Sequence, residues 1–202
     1  MRKPPLKCFE VPIIAGTFKG KRICIPQIDT TRSSKSILRE SLFNTLQNDL
    51  YDTRFVEVFA GSGSVGLEAL SRGVDHVWFL ERNRDVYHLL QENIRKLDPD
   101  RTTALNVDSF EAFPRLHEAL TAEGVPTIFY FDPPFSIREG MEEIYTKTLN
   151  LIEGIDPGIV RYVIIEHMSN LTLPETIGRL EQVQQKRFGK STLSYFSSKR
   201  SL

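Results

Sequence analysis

Residues 128–135 read IFYFDPPF, an apolar run that ends in an acid, two prolines and a phenylalanine. Proline cannot donate to a sheet ladder, so Pro133 and Pro134 must end the strand and stiffen the turn beyond it. An acid at that place can act on an amine. The nitrogen of an amine on an aromatic ring is planar, and its delocalised lone pair attacks poorly. Asp132 can accept one amine hydrogen, and the carbonyl of Pro133 can accept the other. Both bonds favour a pyramidal nitrogen. The paired prolines hold that carbonyl stiffly, and Phe135 can stack on the ring. As the amine gains positive charge, Asp132 stabilises it electrostatically. D-P alone is a common strand-ending turn; D-P-P-F after a buried strand is much more specific.

A second group precedes it. In EVFAGSGSVGLEAL, Gly61, Gly63 and Gly66 fit G-x-G-x-x-G between a strand and a helix. Alone that match is weak; it says that the backbone turns tightly and a ligand can approach it. Twenty residues after Gly61, Glu81 ends the next apolar run and can accept both hydroxyls of a ribose. Glu57 lies inside the first strand. A nicotinamide dehydrogenase would usually keep that strand apolar. An acid there suits S-adenosylmethionine, either by supporting the glycine loop or by meeting the methionine ammonium. Asp108 follows the third strand and can accept from the adenine N6 amine. The plainer readings are a salt-bridged edge residue for Glu57 and a helix N-cap for Asp108, and a cap can also serve a ligand.

These groups need a scaffold that brings strand ends together. From residue 55 the chain alternates strand and helix: FVEVFA, SVGLEALSRG, HVWFLE, RDVYHLLQENIRKL, TTALNV, a helix over roughly 109–122, TIFYFD, REGMEEIYTKTLNLI and RYVIIEH. Such alternation predicts an α/β, Rossmann-like fold, a parallel sheet with helices on both faces. Ligands then bind beyond the carboxyl ends of the strands, where the strand order reverses. RLEQVQQKRFGKSTLSYFSS predicts a closing antiparallel hairpin turning at Gly189-Lys190. Before residue 55, VPIIAGTFKGKRICIP predicts a leading hairpin, QIDTTRSSK a flexible loop, and SKSILRESLFNTLQNDL a helix capped by Ser34 or Ser36. The expected division is residues 1–35 as an RNA-contacting extension and 36–202 as the catalytic domain.

The chain has 202 residues and zero formal net charge. Residues 1–40 carry +6, residues 186–202 carry +5, and the middle carries −11. Basic ends around an acidic body point to an anionic partner, although solvated surface charge explains them equally well. Lys19, Lys21 and Arg22 in the hairpin, with Arg32 and Lys35 after it, are the expected phosphate contacts. No apolar run is long enough for a membrane helix, and no secretory signal is legible. Cys8 and Cys24 are expected to stay reduced in a cytoplasmic protein. No metal site is expected, and His76, His88, His117 and His167 read as structural or solvated.

RSSKSILRESLFNTL, EVFAGSGSVGLEALSRG, FLERN and FDPPF, in this order, resemble the RsmD family, ribosomal RNA guanine-N2 methyltransferases. IIAGTFKGKRICIP is similar to that family's leading hairpin. The resemblance implies a class I S-adenosylmethionine-dependent methyltransferase with a seven-stranded, mostly parallel sheet. It implies Asp132, Pro133, Pro134 and Phe135 as the catalytic motif, with cofactor contacts from the Gly61–Gly66 loop, Glu81 and Asp108. The expected substrate is guanine(966) of 16S ribosomal RNA, the expected partner a partly or fully assembled small-subunit particle, and the expected state a monomer. Arg32-Ser33-Ser34 stands where the family usually has R-P-T, and Glu57 where it usually has Asp. Two alternatives remain at this stage. One is a methyltransferase for adenine N6 or cytosine N4 in RNA or DNA; the other is a non-catalytic RNA-binding or ribosome-assembly protein.

Overall fold

The computed structural model describes residues 6–27, 32–134 and 142–198. A hairpin of β1 (Cys8–Pro12) and β2 (Arg22–Pro26) comes first, followed by α1 (Arg32–Leu46). Then come β3 (Arg54–Val58), α2 (Ser64–Ser71), β4 (His76–Leu80), α3 (Arg84–Leu97), β5 (Thr102–Leu105), α4 (Ser109–Glu123), β6 (Thr127–Phe131) and α5 (Glu142–Glu153). β7 (Val160–Met168), β8 (Thr176–Ile177), β9 (Leu180–Phe188) and β10 (Ser191–Ser198) close the chain. The main sheet runs β5-β4-β3-β6-β7-β10-β9-β8. Its first five strands are parallel and its last three antiparallel. β8, only two residues long, adds an eighth strand to the seven expected.

The order reverses between β3 and β6, so the glycine loop after β3 and Asp132 after β6 open onto one crevice. Every residue of β6 is buried, as a central strand covered on both faces requires. On one face α1, α2 and α3 pack Leu42, Phe43, Leu67 and Leu90 against Phe55, Tyr130 and Tyr195. On the other, Phe113, Leu120 and Ile152 of α4 and α5 pack against Val56, Phe129, Phe131 and Ile165. Asn83 caps α3 by accepting from the N–H of Asp85 and Val86, and Asp108 caps α4 by accepting from Phe110.

The leading hairpin is packed into this core. Ile13 and Ile23 are buried with the α2 side chains. The buried Glu68 carboxylate accepts from the N–H of Ile14 (2.8 Å) and Ala15 (3.0 Å) and from Arg72 Nε (2.8 Å). Arg39 donates through Nη2 to the carbonyl of Pro12 and lies 4.0 Å from Glu68. Asn93 of α3 accepts from Cys24 N–H and donates to the carbonyls of Cys24 and Ser62, joining hairpin to glycine loop.

Two expectations are corrected. Cys8 and Cys24 are not free thiols but a disulfide: the hairpin register sets them diagonally across β1 and β2, with Cα atoms 5.7 Å apart, within bridging range. Arg32 and Lys35 do not lie in a flexible loop. α1 begins at Arg32, before the expected caps Ser34 and Ser36, so both residues belong to its first turns.

Candidate active site

The glycine loop is shaped by its acids. Glu57, buried beneath the start of α2, accepts from the N–H of Gly66 (2.8 Å) and Val65 (3.3 Å). It therefore satisfies helix N–H groups that the N-cap residue Gly63 has no side chain to reach. Burial pushes Glu57 up to about 8, against the pull of those two hydrogen bonds. Glu81, at the end of β4, accepts from Gly61 N–H (2.8 Å) and Asn83 N–H (2.6 Å). Burial raises it above the usual carboxylate range, and the backbone donors oppose that rise.

Gly61 has φ +55°, and a Cβ built there meets nothing within 4 Å. The space it leaves is open. Gly66 is different: a Cβ there would lie 2.5 Å from Phe79 Cε1 and 2.9 Å from Glu57 Oε2. Gly63 likewise faces Leu90 and Phe79. So Gly61 leaves room for a ligand, while Gly63 and Gly66 allow close packing of loop, helix and sheet. Asp108 Oδ2 lies 3.1 Å from Arg82 Nη1, and its Oδ1 caps α4. Beside it Phe59, at φ +64°, sets its ring 5.2 Å from Phe110. An open glycine turn, a ribose-height acid and an aromatic pair by a second acid make a cradle that fits S-adenosylmethionine. When bound, that cofactor supplies an electrophilic methyl group.

Asp132 stands at the end of β6, on the sheet face covered by α1. Pro133 is buried and Pro134 exposed, and Phe135 lies outside the described residues. Lys35 Nζ is 3.8 Å from Asp132 Oδ2; the two side chains are 54% and 27% exposed. Burial and the neighbouring Glu166 push Asp132 up to about 7, against the pull of Lys35. Asp132 in turn raises Lys35.

Glu166 was not expected from the sequence. It lies in β7, where Phe131 pairs with Ile165, so Glu166 sits level with Asp132 on the adjacent strand. It is 3% exposed and its Oε2 accepts from Tyr130 OH at 2.6 Å, while Oε1 has no partner among the described residues. An acid inside the apolar run RYVIIEH was the available signal, because such a strand has no reason of stability to carry one. Arg39 is also placed by the fold: it serves the hairpin and Glu68 rather than its sequence neighbour Glu40.

The basic residues separate into two groups. Thr17 N–H and Phe18 N–H bond to Ser71 at the far end of α2, where the strands begin. The turn bearing Lys19 and Lys21 is therefore at the opposite edge from Asp132. Lys21 covers the Phe18 ring, and Arg22 pairs with Glu10. Lys35 is brought beside Asp132, and the side chain of Arg32 lies outside what the structure describes.

The chain is similar to known proteins in sequence and in fold. The family described as Conserved hypothetical protein 95 matches residues 11–197. Ribosomal RNA small subunit methyltransferase D of Escherichia coli (strain K12) is 32% identical over 145 residues, covering 71% of this chain and 67% of that protein. The Haemophilus influenzae protein of the same name is 29% identical over 168 residues, covering 82% and 84%. The solved structure of yhhF from Escherichia coli superposes with a TM-score of 0.72 at 25% identity, covering 95% of this chain and all of that one. The crevice at the strand reversal, with its glycine cradle and its Asp-Pro-Pro end, is thus found in a chain that belongs to the RsmD family of S-adenosylmethionine-dependent ribosomal RNA methyltransferases.

Proposed function

We propose that the chain methylates the exocyclic N2 amine of a guanine in small-subunit ribosomal RNA, presented by a partly or fully assembled particle to a cytoplasmic monomer. The observation that carries this reading is Asp132 at the open end of β6, across the strand reversal from the Gly61 turn. Asp132 and the Pro133 carbonyl accept the two amine hydrogens. Phe135 stacks on the base, and Pro134 stiffens the turn. Glu81 and Asp108 hold ribose and adenine, Glu57 keeps Gly66 and the start of α2 in place, and Glu81 holds Gly61.

The acids favour guanine over the other amines. In guanine one of the two ring nitrogens beside the amine, N1, carries a hydrogen and donates, and the other accepts. In adenine and cytosine the one ring nitrogen beside the amine accepts. The open carboxylate Asp132 suits the edge that offers a donor next to the amine.

Phosphate contacts must lie near the cleft, because the base has to leave its stack to enter it. The β9–β10 turn meets this need. Ser191 pairs with Met168, so the turn is at the same edge as Asp132, two strands away. Arg187 and Lys190 there are exposed and form no ion pair among the described residues. At ~4.8 Å per strand and ~3.3 Å per residue they stand about 12–15 Å from Asp132, a few nucleotides from the target. Lys19, Lys21 and Arg22 reach RNA only if the substrate wraps to the opposite edge, and Arg32 starts the helix that carries Lys35.

Mass spectrometry of nucleosides after incubation with cofactor and either 16S ribosomal RNA or small-subunit particles tests the reading. N2-methylguanosine is expected, with particles preferred, and Asp132→Asn should lose at least roughly 100-fold in rate while folding and binding cofactor normally. N6-methyladenosine or N4-methylcytidine as product, or near wild-type turnover by Asp132→Asn, overturns it.

A further inference from the structure

Asp132 does not act alone. Two charged groups of opposite sign face it from different elements: Lys35 of α1 at 3.8 Å, and Glu166 on the neighbouring strand β7. Glu166 is buried and fixed by Tyr130, whose hydroxyl donates to Oε2. A buried carboxylate with one oxygen unpartnered among the described residues costs stability, so the fold keeps it at a price in free energy. Functional sites are where such a cost is retained.

We propose that Glu166 is a positioning residue for methyl transfer: held by Tyr130, its charge acts through Asp132 to draw positive charge onto the target nitrogen, and Lys35 is the counter-charge that keeps Asp132 ionised beforehand. This inference rests on the amine-methylating function proposed above. The amine lone pair forms the new N–C bond, and the methyl–sulfur bond breaks with its electrons left on sulfur. The nitrogen, now cationic, passes one hydrogen as a proton to Asp132, which releases it to solvent. Positive charge thus moves from sulfur to nitrogen. Two carboxylates on adjacent strands favour that movement more than one does, and because Glu166 is buried its field is less screened than that of a surface charge. A second negative charge also makes Asp132 the better proton acceptor. Lys35 offsets it, so that Asp132 does not begin the reaction already protonated.

Among the described residues, the groups facing Asp132 are Lys35 from α1, Glu166 from β7, Tyr130 from its own strand, Glu57 from β3 and Tyr145 from α5. Of these, Lys35 draws its protonation downward. The two charge-neutralising variants must therefore move Asp132 in opposite directions. A carbon-13 NMR titration of Asp132 in the full-length protein reads this without turnover. The wild-type midpoint is expected at about 7. Glu166→Gln, which can still accept from Tyr130, should move it to lower pH, and Lys35→Met should move it to higher pH. The acid limb of kcat/KM should follow in the same senses. Glu166→Gln should also lose roughly tenfold or more in kcat at pH 8, where Asp132 is ionised in both proteins. Glu166→Asp keeps the charge and should retain the wild-type midpoint within a few tenths of a pH unit.

A midpoint unchanged in Glu166→Gln, or a kcat unchanged with a midpoint that moved, overturns the proposal. If Glu166→Gln does not fold, a normal Glu166→Asp midpoint with an unmoved Lys35→Met midpoint overturns it equally. Because the midpoint is measured without substrate, a wild-type protein that methylates a different base would defeat the guanine reading and leave this one standing.

Discussion

Gly61→Ala and Gly66→Ala should separate binding from stability. At Gly61 the added Cβ touches nothing within 4 Å, so its only cost in the free protein is the left-handed backbone at φ +55°. That strain is about 1–2 kcal/mol. For a chain of this size it lowers Tm by roughly 2–8 °C. The same methyl group projects into the open space of the cradle, where the ligand must lie. We expect S-adenosylmethionine affinity to fall at least tenfold, about 1.4 kcal/mol.

At Gly66 the balance reverses. Alanine gains about 1 kcal/mol of helix propensity. Its Cβ, however, would stand 2.5 Å from Phe79 Cε1, 2.8 Å from Val77 Cγ1 and 2.9 Å from Glu57 Oε2, all of them in the buried interior. Overpacking of this kind costs about 1–3 kcal/mol, and here it also presses on the carboxylate that holds the loop. Thermal unfolding and calorimetric titration of both variants decide the matter. Gly61→Ala should lose affinity in excess of stability, and Gly66→Ala should lose stability first. Unchanged affinity in a folded Gly61→Ala would refute the idea that the ligand lies against this turn.

Other expectations follow from the same contacts. Glu81→Ala should weaken S-adenosylmethionine binding by roughly 10- to 150-fold, about 1.5–3 kcal/mol for lost charged hydrogen bonds, while NAD fails to bind either form; equal affinities in titration would remove Glu81 from the site. Burial raises Glu57 from 4.5 to about 8, so the folded state holds a proton that the unfolded chain has released. Stability from this group is therefore present below about pH 4.5 and lost as pH rises to 8, and Glu57→Gln should flatten the fall in Tm across that window. Arg187→Ala with Lys190→Ala should reduce the salt dependence of RNA affinity by up to about two units, one per lost phosphate contact, without changing cofactor affinity. Lys19→Ala, Lys21→Ala and Arg22→Ala together should change the slope less, and the opposite ranking would place the RNA on the hairpin edge.

Much of the scaffold was legible because its signals are local. Apolar runs of four to six residues alternating with amphipathic stretches dictate strands and helices, and the closing hairpin announces itself at Gly189-Lys190. The glycine turn, Glu81 twenty residues on, and D-P-P-F each sit within one strand-to-helix connection, so their chemistry can be read from adjacent letters. Local signals fail where a residue's partner is remote. Glu166 meets Asp132 only because β7 pairs with β6, thirty-four positions earlier in the chain. Lys35 reaches the same acid only because α1 starts a turn earlier than its serines advertise and runs across the β6 end. The Cys8–Cys24 bridge depends on a hairpin register that composition cannot give. Charge counting found a basic amino-terminal segment but not its direction: backbone bonds to Ser71 turn Lys19 and Lys21 away from the cleft. The amino acids thus determined which groups can do the chemistry. Strand pairing and helix packing decided which charges face Asp132, because electrostatic effects follow distance through space and burial, and neither is a property of the order of residues.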